Sequence, residues 1–435
     1  MPVQQEVMWP TLVASKKLNK PLGSRNFLAD YEGYAEQPLL GITSDDQSSL
    51  STESLLHDQK DTQNYRVFAS TWNVGGIAPD EGLNIKDLLD TCNQFCDIYV
   101  LGFQEIVPLK ASNVLGPENS KISMKWNTII KEALNKRTHQ LFNDQLGHKK
   151  NEESEVPQDF QCIISRQMVG ILITVWVRRD LCPFIQHPSF SCVGCGIMGF
   201  LGNKGSVSVR FMLHETSFCF ICTHLASGGR EGDEKHRNSN IAEIFSRTGF
   251  PKGPLLDLPR KILDHDHVIL LGDLNYRISL PEETTHSLVE ERDWDYLLEN
   301  DQLMMELSSG NMLRGWHEGA IKFAPTYKYC PNSDLYYGGC YHGRKQEKKR
   351  APAWCDRIIW YGKGLNQLEY TRSESKLSDH RPVKALFTVQ IRVSKVIKNL
   401  QSLFMSERFG QIKTHFEVSP TDDEFICKSQ SSFRF

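Results

Sequence analysis

Several polar residues in this chain stand where apolar runs end. Asn73 closes RVFASTWN, Glu105 follows IYVLGFQ, and His224 closes SFCFICTH. Asp273 and Asn275 follow HVILLG, and Asp379 and His380 come just before VKALFTVQI. A lone buried Asn or His is ordinarily a satisfied core group. A repeated exit of this kind points elsewhere, because ligand sites in α/β proteins gather at strand ends. The residue types also form one chemical set. Glu105 can hold Mg²⁺, a hard cation that prefers oxygen ligands. Asp273 can orient and deprotonate a water. Asn275, two residues on, shares its face if the chain stays extended, and can donate to a phosphoryl oxygen. His224 and His380 add further donors, charged where a carboxylate raises their pKa. The set favours metal-assisted hydrolysis of a phosphate ester, a reaction that needs mainly positioning and charge neutralisation.

The runs that carry these residues are rich in β-branched and aromatic side chains. They read as strands over 66–74, 98–106, 169–177, 205–213, 217–225, 267–274 and 383–391. Helical periodicity appears between them in ISMKWNTIIKEALNKR (122–137) and RNSNIAEIFSRT (237–248). The pattern predicts one large α/β domain over 62–391, with no internal linker or repeat. Residues 148–159 form a charged surface loop. Before the domain, 1–61 reads as a flexible leader that includes SDDQSSLSTES, with a short ordered piece near Met8–Val13. After it, 392–435 holds VSKVIKNLQSLF, whose Val393, Val396, Ile397, Leu400, Leu403 and Phe404 share one helical face. This amphipathic helix either docks on the domain or meets a membrane or partner.

Composition bounds the function. The chain has 435 residues, a net charge of −3, 40% apolar and 24% charged residues. Such balance gives no argument for nucleic acid, so an anion site must be a local cluster. The apolar run ILITVWV is too short to cross a bilayer. The first residues, MPVQQEVMWPTLV, lack the pattern of a secretory signal, Pro2 excludes myristoylation, and the ending SFRF offers no prenylation box. The expectation is an intracellular, cytoplasmic protein, peripheral at membranes if it meets them at all. Among twelve cysteines, Cys192/Cys195 and Cys219/Cys222 have zinc-like spacing. The second pair lies in a strand, where side chains three apart face opposite ways, so reduced, buried thiols are the better reading.

Eight strings occur in order: TWNVGG, GFQEIVPL, LGNKGSVSVR, CTHLASG, LLGDLNYR, APTYKY, PAWCDRIIWYGKG and SDHRPV. Together they closely resemble the inositol polyphosphate 5-phosphatases of the endonuclease/exonuclease/phosphatase superfamily. GIMGFLGNKGSVSVR and the short leader are most similar to the plant enzymes. The Asn, Glu, GDxN and SDH motifs are common to the superfamily, whereas GDLNYR and PAWCDR are specific to 5-phosphatases. The resemblance implies a four-layer fold, two mixed β-sheets flanked by helices. It implies that Glu105 binds Mg²⁺ with Asn73 beside it. It implies that Asp273 activates the attacking water and that Asn275 and His224 hold the scissile phosphate. His380 would stabilise the transition state, oriented by Asp356, with Asp379 a second polar group near the metal.

Head-group selectivity needs cations outside this set, since vicinal phosphates require several fixed donors. Lys328 and Arg357 resemble the family's contacts to the 4-phosphate, with Tyr327 and Arg350 as further candidates. Asn203 and Lys204 could approach phosphate or lipid, or only make a tight turn. Arg277 either binds substrate or braces its loop. The run HGRKQEKKR (342–350), with five Lys/Arg in nine residues, is a solvated loop or an attractor of polyanions and anionic membrane. The implied substrates are inositol phosphates, phosphoinositide head groups, or both. A superfamily nuclease is the nearest rival, disfavoured by the near-neutral charge and the TYKY and PAWCDR strings. A catalytically weak phosphoinositide-binding protein is the other, disfavoured by the intact set of candidate catalytic residues.

Overall fold

Runs such as VILLG are continuously apolar because the strands they form are covered on both faces. In the computed structural model, residues 60–80, 82–89, 96–145, 160–196, 199–253, 258–337 and 350–394 are described. Twelve strands among them form two six-stranded sheets. The first has the order β11-β12-β1-β2-β4-β3, built from β1 (Lys60–Asn73), β2 (Ile98–Gln104), β3 (Phe160–Met168), β4 (Ile171–Arg178), β11 (Leu365–Arg372) and β12 (Val383–Ser394). The second has the order β5-β6-β7-β8-β10-β9, from β5 (Ile185–Gly194), β6 (Gly205–Leu213), β7 (Thr216–His224), β8 (His267–Asp273), β9 (His317–Glu318) and β10 (Asp356–Tyr361). Each sheet has a parallel pair at its centre, β1/β2 and β7/β8, and antiparallel strands elsewhere.

Alternation along each strand divides its side chains between two cores. Val67 and Ala69 of β1 and Ile269 and Leu271 of β8 fill the space between the sheets. Phe68 and Trp72 point outward, under Trp126, Ile130 and Leu134. Those three lie on α3 (Ser120–Gln145), which follows the short α1 (Lys86–Leu89) and α2 (Ala111–Leu115). On the other side Val268 and Leu270 meet Ile241, Ile244 and Leu303. These come from α4 (Asp233–Arg247) and α7 (Gln302–Ser309), with α5 (Glu282–Glu291) and α6 (Trp294–Glu299) between them in sequence. The result is helix, sheet, sheet, helix, as the resemblance implied.

Cys219 belongs to the outer core and Cys222 to the inner one, so this pair does point to opposite faces. Eight described cysteines are free thiols. Two findings correct the expectation of reduced, buried cysteines. Cys192 is exposed, at an edge strand, and Cys330 is disulfide-bonded, which its spacing gives no means of foreseeing. The amphipathic helix does not begin at Val393, since Val393 and Ser394 are still paired with β1. The rest of that helix and tail, the leader through residue 59, the 148–159 loop, and the basic run except Arg350 lie outside the described residues. No helix among the described residues is long and apolar enough to cross a membrane.

Candidate active site

Strand register assembles the site. In the second sheet His224 pairs with Asp273 across the parallel β7/β8 ladder, and Asp273 pairs with Asp356 across β8/β10. In the first sheet Asn73 pairs with Gln104, the residue before Glu105. The carboxyl ends of the two parallel pairs therefore open on the same side of the sandwich. Asn73 Nδ2 bridges them, donating to Asp273 Oδ2 at 2.9 Å. Two backbone devices set the exits. Gly272 has φ of 158°, and a β-carbon there would lie 2.1 Å from Thr223 O, so the sequence must carry glycine before Asp273. Glu105 and Asn275 take left-handed φ of 53° and 57°, uncommon for such residues and typical of functional sites.

Asp273 is 2% exposed and heavily partnered. Besides Asn73, its Oδ2 lies 3.2 Å from His224 Nε2, and its Oδ1 accepts the Asn275 N–H at 3.1 Å. Burial alone would raise its pKa, but the His224 hydrogen bond and the His380 charge outweigh burial and hold it well below the usual range. His224 itself is neutral: burial, then the Lys204 ammonium, lower its pKa against the pull of Asp273. The depression at Asp273 thus owes more to the hydrogen bond and to His380 than to any charge on His224. Lys204 Nζ lies against His224 Nε2, and burial brings the lysine pKa down to about 8 despite Asp273 and Glu105 nearby.

On the opposite wall His380 Nδ1 bonds Asp356 Oδ2 at 2.8 Å. Burial opposes a charge on His380, but Asp356 prevails and lifts its pKa to about 9. Burial also pushes Asp356 up, so the two groups compete for one proton. The hydroxyl of Thr326, donating to Asp356 Oδ2 at 2.7 Å, favours the carboxylate and places that proton on the imidazole. Asp379 Oδ2 accepts from Lys328 Nζ at 2.8 Å. Beside this pair opens a cleft of about 550 Å³, lined also by Ile77, Tyr337, Lys376 and Leu377. The Tyr327 ring packs 4.6 Å from that of His380, and its hydroxyl accepts from Arg350 Nη1 at 2.9 Å.

Ligand atoms of Asp273, Asp356 and His380 lie within 4.8 Å of one another, near enough to share an ion. All three are buried, although Asp356 Oδ1 has no hydrogen-bond partner among the described residues. Glu105 offers a different setting: its side chain is 28% exposed and its Oε1 stands 3.8 Å from His224 Nε2. Among the described residues Asn73 Oδ1 accepts only the Gly75 N–H, at 3.0 Å, leaving a lone pair for another partner.

The structure brings together Asn73, Glu105, Lys204, His224, Asp273, Asn275, Arg277, Tyr327, Lys328, Arg350, Asp356, Asp379 and His380, and it corrects three expectations. Arg357 is not a substrate contact. Its side chain is fully buried, with Nη1 on Asp301 at 2.9 Å and Nε and Nη2 on Glu318 at 2.7 and 2.6 Å. As the neighbour of Asp356 in β10, it must face away from the cleft. The chain does not stay extended beyond Asp273, so Asn275 reaches the site through its left-handed turn. Asn203 packs against Gly196 within its own turn, its Oδ1 buried without a hydrogen-bond partner among the described residues. Two contributors escaped the sequence reading. Thr326 and Ser378, which donates to Asn73 O at 2.6 Å, lie inside the APTYKY and SDHRPV strings, yet a hydroxyl alone gives no signal.

Known proteins resemble this chain in sequence and in fold. The family model for endonuclease/exonuclease/phosphatase family 2 matches residues 70–386. Type IV inositol polyphosphate 5-phosphatase 9 of Arabidopsis thaliana is 63% identical over 409 residues, covering 93% of this chain and 96% of the relative. Type I inositol polyphosphate 5-phosphatase 8 of the same plant is 45% identical, covering 88% and 86%. Among solved structures, the inositol polyphosphate 5-phosphatase domain of SPsynaptojanin aligns with a TM-score of 0.64 at 27% identity, over 83% of this chain and 95% of that one. That crystal holds inositol (1,4)-bisphosphate and a calcium ion. A Cimex nitrophorin aligns at 18% identity with a TM-score of 0.54, over 75% of this chain and 99% of that one, a likeness of fold alone. With a matching family model, a matching fold and relatives of this name over most of its length, the chain belongs to the endonuclease/exonuclease/phosphatase family and, within it, to the inositol polyphosphate 5-phosphatases, a group of phosphoric monoester hydrolases.

Proposed function

We propose that this chain removes the 5-phosphate from phosphatidylinositol 4,5-bisphosphate and inositol 1,4,5-trisphosphate with Mg²⁺ as cofactor. The observation that carries the reading is the position of Asp273. It is an ionised, buried carboxylate held from both sheets, with a ring nitrogen of protonated His380 within 4.8 Å. The bisphosphate in the SPsynaptojanin crystal is what removal of the 5-phosphate from the trisphosphate would leave.

Glu105 and Asn73 supply a hard, oxygen-only donor set with a partly exposed carboxylate and a spare lone pair, which fits Mg²⁺ better than the fully buried cluster that includes a His380 nitrogen. When bound there, the ion polarises the phosphoryl group and offsets charge on the leaving oxygen. Asp273 aligns a water in line with the scissile bond. Its low pKa makes it a weak base, so alignment outweighs proton abstraction, as a loose phosphoryl transfer allows. Asn275, His224 and Lys204 hold the 5-phosphate, and His380 donates to its oxygens as charge builds up. Asp379 keeps Lys328 poised for the 4-phosphate, while Arg350 and Tyr327 complete that wall. For the lipid substrate the cleft must meet an anionic membrane surface, such as the cytoplasmic leaflet offers.

Phosphate release from both substrates in Mg²⁺ and in excess chelator tests this directly. Release in Mg²⁺ that stops with chelator and returns on adding back the ion is the expected outcome. Equal release in both would remove the metal from the account.

A further inference from the structure

Arg277 is a cation at the site that need not touch substrate. Its Nη2 donates to Asn275 Oδ1 at 2.6 Å, and its guanidinium carbon stacks 4.6 Å over the Tyr327 ring. Its Nε is buried without a hydrogen-bond partner among the described residues. The backbone is pinned as well: the Arg277 N–H donates to Gln302 Oε1, and the Gln302 N–H to Arg277 O, each at 2.9 Å. Gln302 opens α7, whose N-cap Asp301 accepts from Met304 N at 3.0 Å and also binds Arg357. The Arg277 backbone is therefore fixed against the start of α7, and its guanidinium lies between Asn275 and Tyr327.

We propose that Arg277 is a positioning residue that sets the orientation of the Asn275 amide. Donor and acceptor counting carries the argument. A guanidinium only donates, so the atom of Asn275 facing it must be Oδ1. The opposite end then presents Nδ2, which donates to Leu225 O at 3.1 Å, a group that only accepts. Both contacts select the same rotation of the amide. One Nδ2 hydrogen stays unspent, and it is the donor available to a phosphoryl oxygen. Without Arg277 only Leu225 O still selects that rotation, so the amide turns more readily and can bring its oxygen toward the phosphate, where two acceptors would repel. The inference rests on the reading of Asn275 as a phosphate-holding residue.

A double-mutant cycle tests it, using turnover of inositol 1,4,5-trisphosphate in Mg²⁺ by wild type, Arg277→Met, Asn275→Ala and the pair. Arg277→Met is expected to lower kcat by about tenfold or more with KM changed by less than about threefold. In the Asn275→Ala background the same change should cost no more than about twofold. Arg277→Lys, which keeps a donor, should recover much of the turnover, and it replaces Met in the cycle if the methionine variant melts early. Full, independent losses at both residues, or a loss expressed mainly in KM, would overturn the positioning role. If Asn275→Ala alone leaves kcat intact, it is instead the phosphate-holding role that fails.

Discussion

At Asp273 and His380, two buried groups within 4.8 Å of each other are pushed in opposite directions. Asp273 stays ionised because hydrogen bonding and nearby charge beat burial, and His380 stays protonated because Asp356 beats burial. The charge on Lys204 should be lost first as pH rises through about 8, and the step that needs protonated His380 should follow through about 9. Asp356→Asn removes the group that raises the His380 pKa, so the upper step of the alkaline limb of kcat/KM should move below 9; an unmoved step would reassign it. Stability follows the same groups. The His380 contribution is complete below its ordinary pKa of 6.5 and is lost as pH climbs through about 9. The Asp273 contribution is present above its ordinary 3.8 and is lost as pH falls further. Urea midpoints should drop on both sides of that plateau. The residues of this pair were legible in GDLN and SDH, whereas Arg357 was misread. Its partners Asp301 and Glu318 lie 56 and 39 positions away, and nothing in PAWCDR announces them.

Elements decide which motif residues can share a cleft. The strands over 98–106, 217–225 and 267–274 were legible because two-sided burial demands apolar runs, and the one over 205–213 because Val207, Val209 and Phe211 alternate with Ser206, Ser208 and Arg210. Strand β11, LNQLEYTR, lies at a sheet edge with most of its side chains half exposed, so it carries little hydrophobic signal. Strand β10, DRIIWY, opens on two charged residues that a sequence reads as loop chemistry. Once it is a strand, Asp356 and Arg357 must face opposite sides. The charged pair then serves two layers: Asp356 orients His380, and Arg357 ties β10 to β9 through Glu318 and to α7 through Asp301. Arg357→Met strands two buried carboxylates, and such a break costs about 3–5 kcal/mol. We expect a lower urea midpoint and equal fractional losses of kcat/KM on substrates with and without a 4-phosphate. A selective loss on the 4-phosphorylated substrate would return Arg357 to the cleft.

At the scale of the whole molecule, the site exists only where the two sheets meet. Asn73 and Asp273 stand 200 positions apart, in different sheets, and their 2.9 Å hydrogen bond closes the top of the sandwich. Eight strings spread over most of the chain made this assembly legible as a family resemblance. The packing that joins them was not legible, since it depends on the register of twelve strands. The central claim is regiospecific hydrolysis that depends on Asp273. The most direct measurement follows the ³¹P resonances of inositol 1,4,5-trisphosphate in Mg²⁺ with wild-type protein and with Asp273→Asn. The expected result is loss of the 5-phosphate signal alone, slowed by about a hundredfold or more in the variant, with circular dichroism unchanged. Loss of the 1- or 4-phosphate signal, or a variant as fast as wild type, would contradict it.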